Sequence, residues 1–214
     1  MRPRLRSGVC ARPLNSTSRS HGWRAPSVES ASSAWRHGLI AVSKGGSGRM
    51  TQTKPLTLSV RAATAQDRCL VEDFGAALQE FERGLRPSRC PGSEMKREYT
   101  ETLFRRVTHQ DGAIFLAEAE GRAVGLLACH VGEDALELVR AELVVSEVWV
   151  VPQLRSRGVF RVLLSAAREH ARVLGLSRLI ISALFQNESA CAAYESLGFR
   201  RSFVTFEFNV EAKK

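Results

Sequence analysis

The sequence predicts an α/β domain with a mixed sheet and helices on both faces. Three observations carry that prediction. Segments with period-two apolar alternation are interleaved with segments whose apolar residues recur at three- and four-residue steps. Their order along the chain is β-α-α-β-β-β-α-β-α-β, which suits a sheet covered on both sides. The length of 214 residues suits one such domain with an extension better than two domains.

Taken in order, residues 56–61 alternate apolar and polar and mark a half-buried strand. Thr64 reads as a helix start with Asp67 in the first turn, followed at helical spacing by Leu70, Phe74, Ala77, Leu78 and Phe81. Pro87 and the pair Pro91-Gly92 interrupt the chain. Met95, Tyr99, Thr102, Leu103, Arg106 and Val107 trace a second helical face, and Asp111-Gly112 a turn. Residues 113–118 and 122–131 read as strands joined at Glu120-Gly121. Residues 142–151 form a Val-rich strand stopped by Pro152. From Arg157 to Leu174 an apolar stripe of Val159, Phe160, Leu163, Ala166, Ala167, Ala171 and Leu174 predicts an amphipathic helix closed by Gly175. Residues 179–181 are a short buried strand. Asn187 caps a helix running to Leu197 and ended by Gly198, and residues 203–210 alternate as a last strand.

The formal charge of +9 resembles a nucleic-acid signal until it is located. Residues 1–49 hold nine basic residues and one acid, whereas residues 50–214 hold 22 and 21. The folded part is therefore nearly neutral, which argues against a nucleic-acid binder. The first 49 residues contain ten Ser and six Gly and sustain no apolar periodicity. They read as a basic, disordered tail, and three origins stay open for it: a non-native extension before Met50, a transit peptide, or a basic arm. No apolar run is long enough to span a bilayer. Five cysteines with no C-x-x-C pair argue against a disulfide framework or a structural zinc, and reduced thiols point to the cytoplasm. No ligand spacing for a metal is present.

The chemistry concentrates where strand 142–151 meets the next helix through Gln153-Leu154-Arg155-Ser156-Arg157-Gly158. A helix N-terminus leaves unpaired N–H groups and a partial positive charge. Gly158 lets backbone approach a ligand, and Arg155 and Arg157 add full charges. Such a loop fits a pyrophosphate, and it equally fits a solvated basic loop that caps a helix. Neither a Walker loop nor a G-x-G-x-x-G turn is present.

Val148-Trp149-Val150-Val151-Pro152-Gln153-Leu154-Arg155-Ser156-Arg157-Gly158-Val159-Phe160 resembles the acetyl-CoA motif of the GNAT N-acetyltransferase superfamily. Asn187-Glu188-Ser189-Ala190-Cys191-Ala192-Ala193-Tyr194-Glu195-Ser196-Leu197-Gly198-Phe199 is similar to that family's Asn-x-x-Ala-x-x-x-Tyr-Glu-x-x-Gly-Phe block. The resemblance covers about residues 56–210 and departs at Ser156, where the family has Gly, and at Phe160, where it has Gly or Ala. Phe160 is expected to turn into the apolar stripe with Leu163 and Leu164.

The resemblance implies the GNAT fold over residues 50–214, a mostly antiparallel sheet with a splayed parallel pair of strands. It implies acetyl-CoA as co-substrate, with the backbone of Val148, Trp149 and Val150 bonding the pantetheine arm. It assigns the pyrophosphate to Arg155, Ser156, Arg157, Gly158, Val159, Phe160 and Arg161, and a further cofactor contact to Asn187. Tyr194 is then the general acid for the leaving thiolate, and Glu147 the base or the group that binds the substrate cation. Plain strand packing, a helix cap and a core tyrosine are the competing roles of these same residues. Glu142, five residues before Glu147, is expected on the opposite face of its strand. The implied partner is the primary amine of a small molecule or peptide, with homodimers frequent in the family. The competing function is a non-catalytic acyl-CoA-binding sensor of the same fold.

Overall fold

The structure is a computed structural model that describes residues 56–208. The tail of residues 1–49 lies outside them. Strand β1 (Leu58–Ala62) leads through a 3-10 turn into helices α1 (Arg68–Leu85) and α2 (Gly92–His109). Strands β2 (Ala113–Ala119), β3 (Arg122–Glu133) and β4 (Ala141–Val150) follow, then α3 (Val159–Val173), β5 (Leu179–Ile181) and α4 (Glu188–Ser196). No helix among the described residues is long and apolar enough to cross a membrane.

The sheet runs β1-β2-β3-β4-β5, antiparallel up to β4, with β4 and β5 parallel. Helix α3 covers one face, where Leu58, Phe115, Leu127, Leu143, Val159 and Leu163 are buried together. Helices α1 and α2 cover the other, over Val71, Leu103, Leu116, Leu126 and Trp149. Each fully buried aliphatic side chain contributes roughly 1.5–3 kcal/mol of transfer free energy. The two stripes legible in the sequence are the two that meet the sheet. Close approach of α3 rests on Gly125 of β3, where an added Cβ would stand 2.9 Å from Cγ1 of Val159.

Two features position the site. The β4–β5 pairing ends at Val145 and Ile181, while β4 runs on to Val150, so the two strands splay. At the same place the β3–β4 register slips: Ala128 faces Glu147 and Cys129 faces Val145, leaving Ser146 as the extra residue of a β-bulge. A bulge inserts one residue and so shifts the alternation of faces. Leu143 and Val145 before the bulge, and Val148 and Val150 after it, all pack toward α3. Glu142 and Glu147 consequently share the α1/α2 face, which corrects the expectation that they lie on opposite faces. They remain separate, since Glu142 forms an ion pair with Arg178, 3.0 Å from its Nε.

The expected last strand is also corrected. Residues 203–208 form no strand, and Phe203, Val204, Phe206 and Phe208 are exposed. Alternation supplies one apolar face, but a strand needs an edge to pair with, and β5 offers only three residues. Glu207 instead pairs with Arg86 of the α1–α2 connection at 2.5 Å. Val210 lies outside the described residues.

Candidate active site

The splay opens a cleft of about 610 Å³, walled by α1, the end of β4, the loop before α3, the chain after β5, and α4. It gathers Glu147, Val148, Trp149, Val150, Arg155, Ser156, Gly158, Val159, Phe160, Arg161, Asn187 and Tyr194. Arg157 does not join them; it is exposed, outside the cleft wall.

Local backbone shapes the loop end. Ser156 and Gly158 both take left-handed conformations, at φ 59° and 88°. Ser156 therefore adopts the geometry for which glycine is the easier residue, at a cost on the order of 1–2 kcal/mol. Gly158 is the N-cap of α3, and the first-turn N–H groups of that helix open beside it. A Cβ on Gly158 would meet nothing within 4 Å, so the space in front of it is free for a ligand. These features fit a pyrophosphate against a helix N-terminus. Gly158→Val fills that space and forces a β-branched residue into positive φ. The expected outcome is at least about a tenfold loss of acetyl-CoA affinity by calorimetry. An unchanged affinity would move the anion site elsewhere.

Arg155 points away from the loop end. Its guanidinium lies over the rings of Phe81, at 4.8 Å, and Trp149, at 4.9 Å, and its Nε donates to the Val150 carbonyl at 3.2 Å. Cation–π attraction explains this placement, and the bonded carbonyl belongs to the splayed end of β4.

Helix α4 closes the cleft. The Asn187 side chain accepts the Ala190 N–H at 3.2 Å, an N-cap bond, so its capping role stands whatever else it contacts. Tyr194 lies between two rings, Phe160 at 5.4 Å and Phe199 at 5.9 Å. Phe160 thus packs against the α3-side core, as expected, and also against Tyr194. Burial raises the Tyr194 pKa, helped by Cys191, Glu82 and Glu147, so the phenol keeps its proton through neutral pH.

Glu147 is the electrostatic centre. It is only 9% exposed, and among the described residues no hydrogen bond or ion pair reaches its carboxyl group. Desolvation, and next the charge of Glu82, push its pKa up to about 8, against a smaller opposing effect of Arg89. A carboxyl group poised near neutral pH is suited to take a proton. Glu82 on α1 was not singled out from the sequence. Its signal was present: Phe74, Leu78 and Glu82 recur every four residues, so an acid occupies a position where the stripe calls for an apolar side chain.

The Acetyltransferase (GNAT) family profile matches residues 77–199. Over 158 residues the chain is 26% identical to the uncharacterized N-acetyltransferase YhfO of Bacillus subtilis, a match covering 73% of this chain and all of that one. A predicted acetyltransferase from Clostridium acetobutylicum, solved with acetyl-CoA, superposes with a TM-score of 0.57 at 15% identity, covering 71% of this chain and 96% of that one. The aminoglycoside acetyltransferase AAC(6')-Iy, solved with a CoA bisubstrate analogue, gives 0.56 at 16%, covering 72% and 99%.

Proposed function

Because this chain belongs to the GNAT acetyltransferase family and is an acyltransferase, we propose that it moves acetyl from acetyl-CoA to a primary amine by direct attack in a ternary complex. One observation supports this reading above the others. A buried carboxyl group with no partner, on β4, and a phenol that stays protonated, on α4, line one cleft.

Acetyl-CoA supplies the activated thioester when bound. The backbone of Val148, Trp149 and Val150 lies along the cleft to bond the pantetheine arm, with Arg155 yielding the Val150 carbonyl. Gly158, Val159, Phe160 and Arg161 take the pyrophosphate at the α3 N-terminus, with Ser156 shaping the turn. Asn187 caps α4 and borders the arm. Arg157 contributes long-range positive charge from outside the cleft. Glu147 accepts the proton of the attacking amine, directly or through water. The Tyr194 phenol donates its proton to the leaving thiolate. The acceptor is a small molecule or peptide, and the reaction belongs to the cytoplasm, the compartment that the cysteine usage favours.

Acetyl-CoA at 100 times its dissociation constant should stabilise the fold by about 2.7 kcal/mol, read as a rise in melting temperature. Thiol release against an amine panel then separates the readings. Binding with turnover supports the transferase. Binding without turnover on any amine leaves the non-catalytic sensor. No thermal shift at millimolar acetyl-CoA sinks both.

A further inference from the structure

The acceptor side of the cleft carries a second carboxylate that the transfer step does not use. Glu82 enters from the last turns of α1 and lines the same wall as Glu147. Its side chain is 16% exposed and pairs with Arg89 of the α1–α2 connection at 2.7 Å. Arg89 itself stays out of the cleft lining and keeps a buried Nε without a partner. Among the described residues, the only cations lining the cleft are Arg155 and Arg161. The Arg155 guanidinium rests on the rings of Phe81 and Trp149 and its Nε donates to the Val150 carbonyl, so it is already engaged. The wall formed by α1 and β4 thus presents two carboxyl groups and one cation that is held by its own neighbours. It is built to attract positive charge and to repel a carboxylate.

A reacting amine must be neutral when it attacks, so its pairing with Glu147 ends as the proton is transferred. Lasting recognition of positive charge needs a group outside the reaction, and Glu82 is the one in place. We propose that the acceptor is a diamine, whose reacting nitrogen meets Glu147 while Glu82 holds a second ammonium group. This rests on the acetyl-transfer reading for the first nitrogen only. Arg89 has a positioning role: it fixes Glu82 and moderates its charge. Glu147 adds an independent sign of a ligand, since a carboxyl group more than nine-tenths buried faces the cleft with no partner of its own.

The test uses the full chain with three acceptors of matched length: diaminobutane, n-butylamine and aminobutyrate. For the wild type, kcat/KM should fall in that order, with the diamine ahead of the monoamine by about tenfold or more, the scale of one favourable charge contact. In Glu82→Gln the ratio of diamine to monoamine should collapse toward one, through KM more than kcat. Aminobutyrate should improve relative to diaminobutane in the same variant, because the carboxylate that repels it is gone. A merely structural role for Glu82 would not move these ratios. Equal losses for all three acceptors, or a wild type that prefers the monoamine or aminobutyrate, would overturn the proposal. Calorimetric titration of diaminobutane and n-butylamine into the CoA complex keeps the two readings apart. Absent turnover with every acceptor rejects the transferase. Tighter diamine binding that Glu82→Gln abolishes still upholds the Glu82 site, and indistinguishable binding of the two amines rejects it.

Discussion

Tyr194→Phe should lower the turnover number by about 10²-fold or more, the usual scale of lost general acid catalysis. The substitution keeps the ring, and with it the contacts to Phe160 and Phe199. Among the described residues the phenol makes no hydrogen bond whose loss would orphan a partner, so the melting temperature should stay nearly unchanged. Acetyl-CoA affinity should also hold, because the proton is needed only in the transition state. The titration of the phenol lies above the working range, so neither form of the enzyme should show an alkaline limb due to Tyr194. Turnover within a few-fold of wild type would make Tyr194 a packing residue and leave thiolate protonation to water.

Glu147→Gln should separate stability from activity. Turnover should drop by about 10²- to 10⁴-fold if the carboxylate takes the amine proton. In the wild type, kcat/KM should rise with pH through an apparent value of about 8, since only the ionised form accepts a proton. The variant should lose that limb and keep any limb due to the acceptor amine. Stability should move the other way. Folding raises this carboxyl pKa from its ordinary 4.5, so the folded state holds the proton longer than the unfolded chain does. The wild type therefore loses stability as pH rises from 4.5 toward 8, and glutamine, which does not titrate, avoids that loss. Unfolding midpoints should coincide in acid and favour the variant above pH 8, by on the order of a few kcal/mol. A variant less stable than wild type at alkaline pH would show that Glu147 is a paired structural carboxylate.

The sequence alone determined what depends on neighbours along the chain. The strand–loop–helix run ending in Gly158 and the block from Asn187 to Phe199 are continuous segments, so their composition identified the family and most of the cleft's lining. Helical periodicity placed α1, α2 and α3, because a 3.6-residue repeat is a local property. The tertiary structure decided what depends on pairing between distant segments. The bulge at Ser146 is a register event between β3 and β4; counting residues along β4 could not reveal it, and it put Glu142 and Glu147 on one face. Residues 203–208 carry a strand's alternation, yet the edge they would need belongs to β5, which stops after three residues. Arg155 is held by rings from α1 and β4, 74 and six residues before it in the chain. Glu82 joins the cleft only because α1 packs across β4, where a charge out of place in one helix's stripe becomes a carboxylate in the cleft lining.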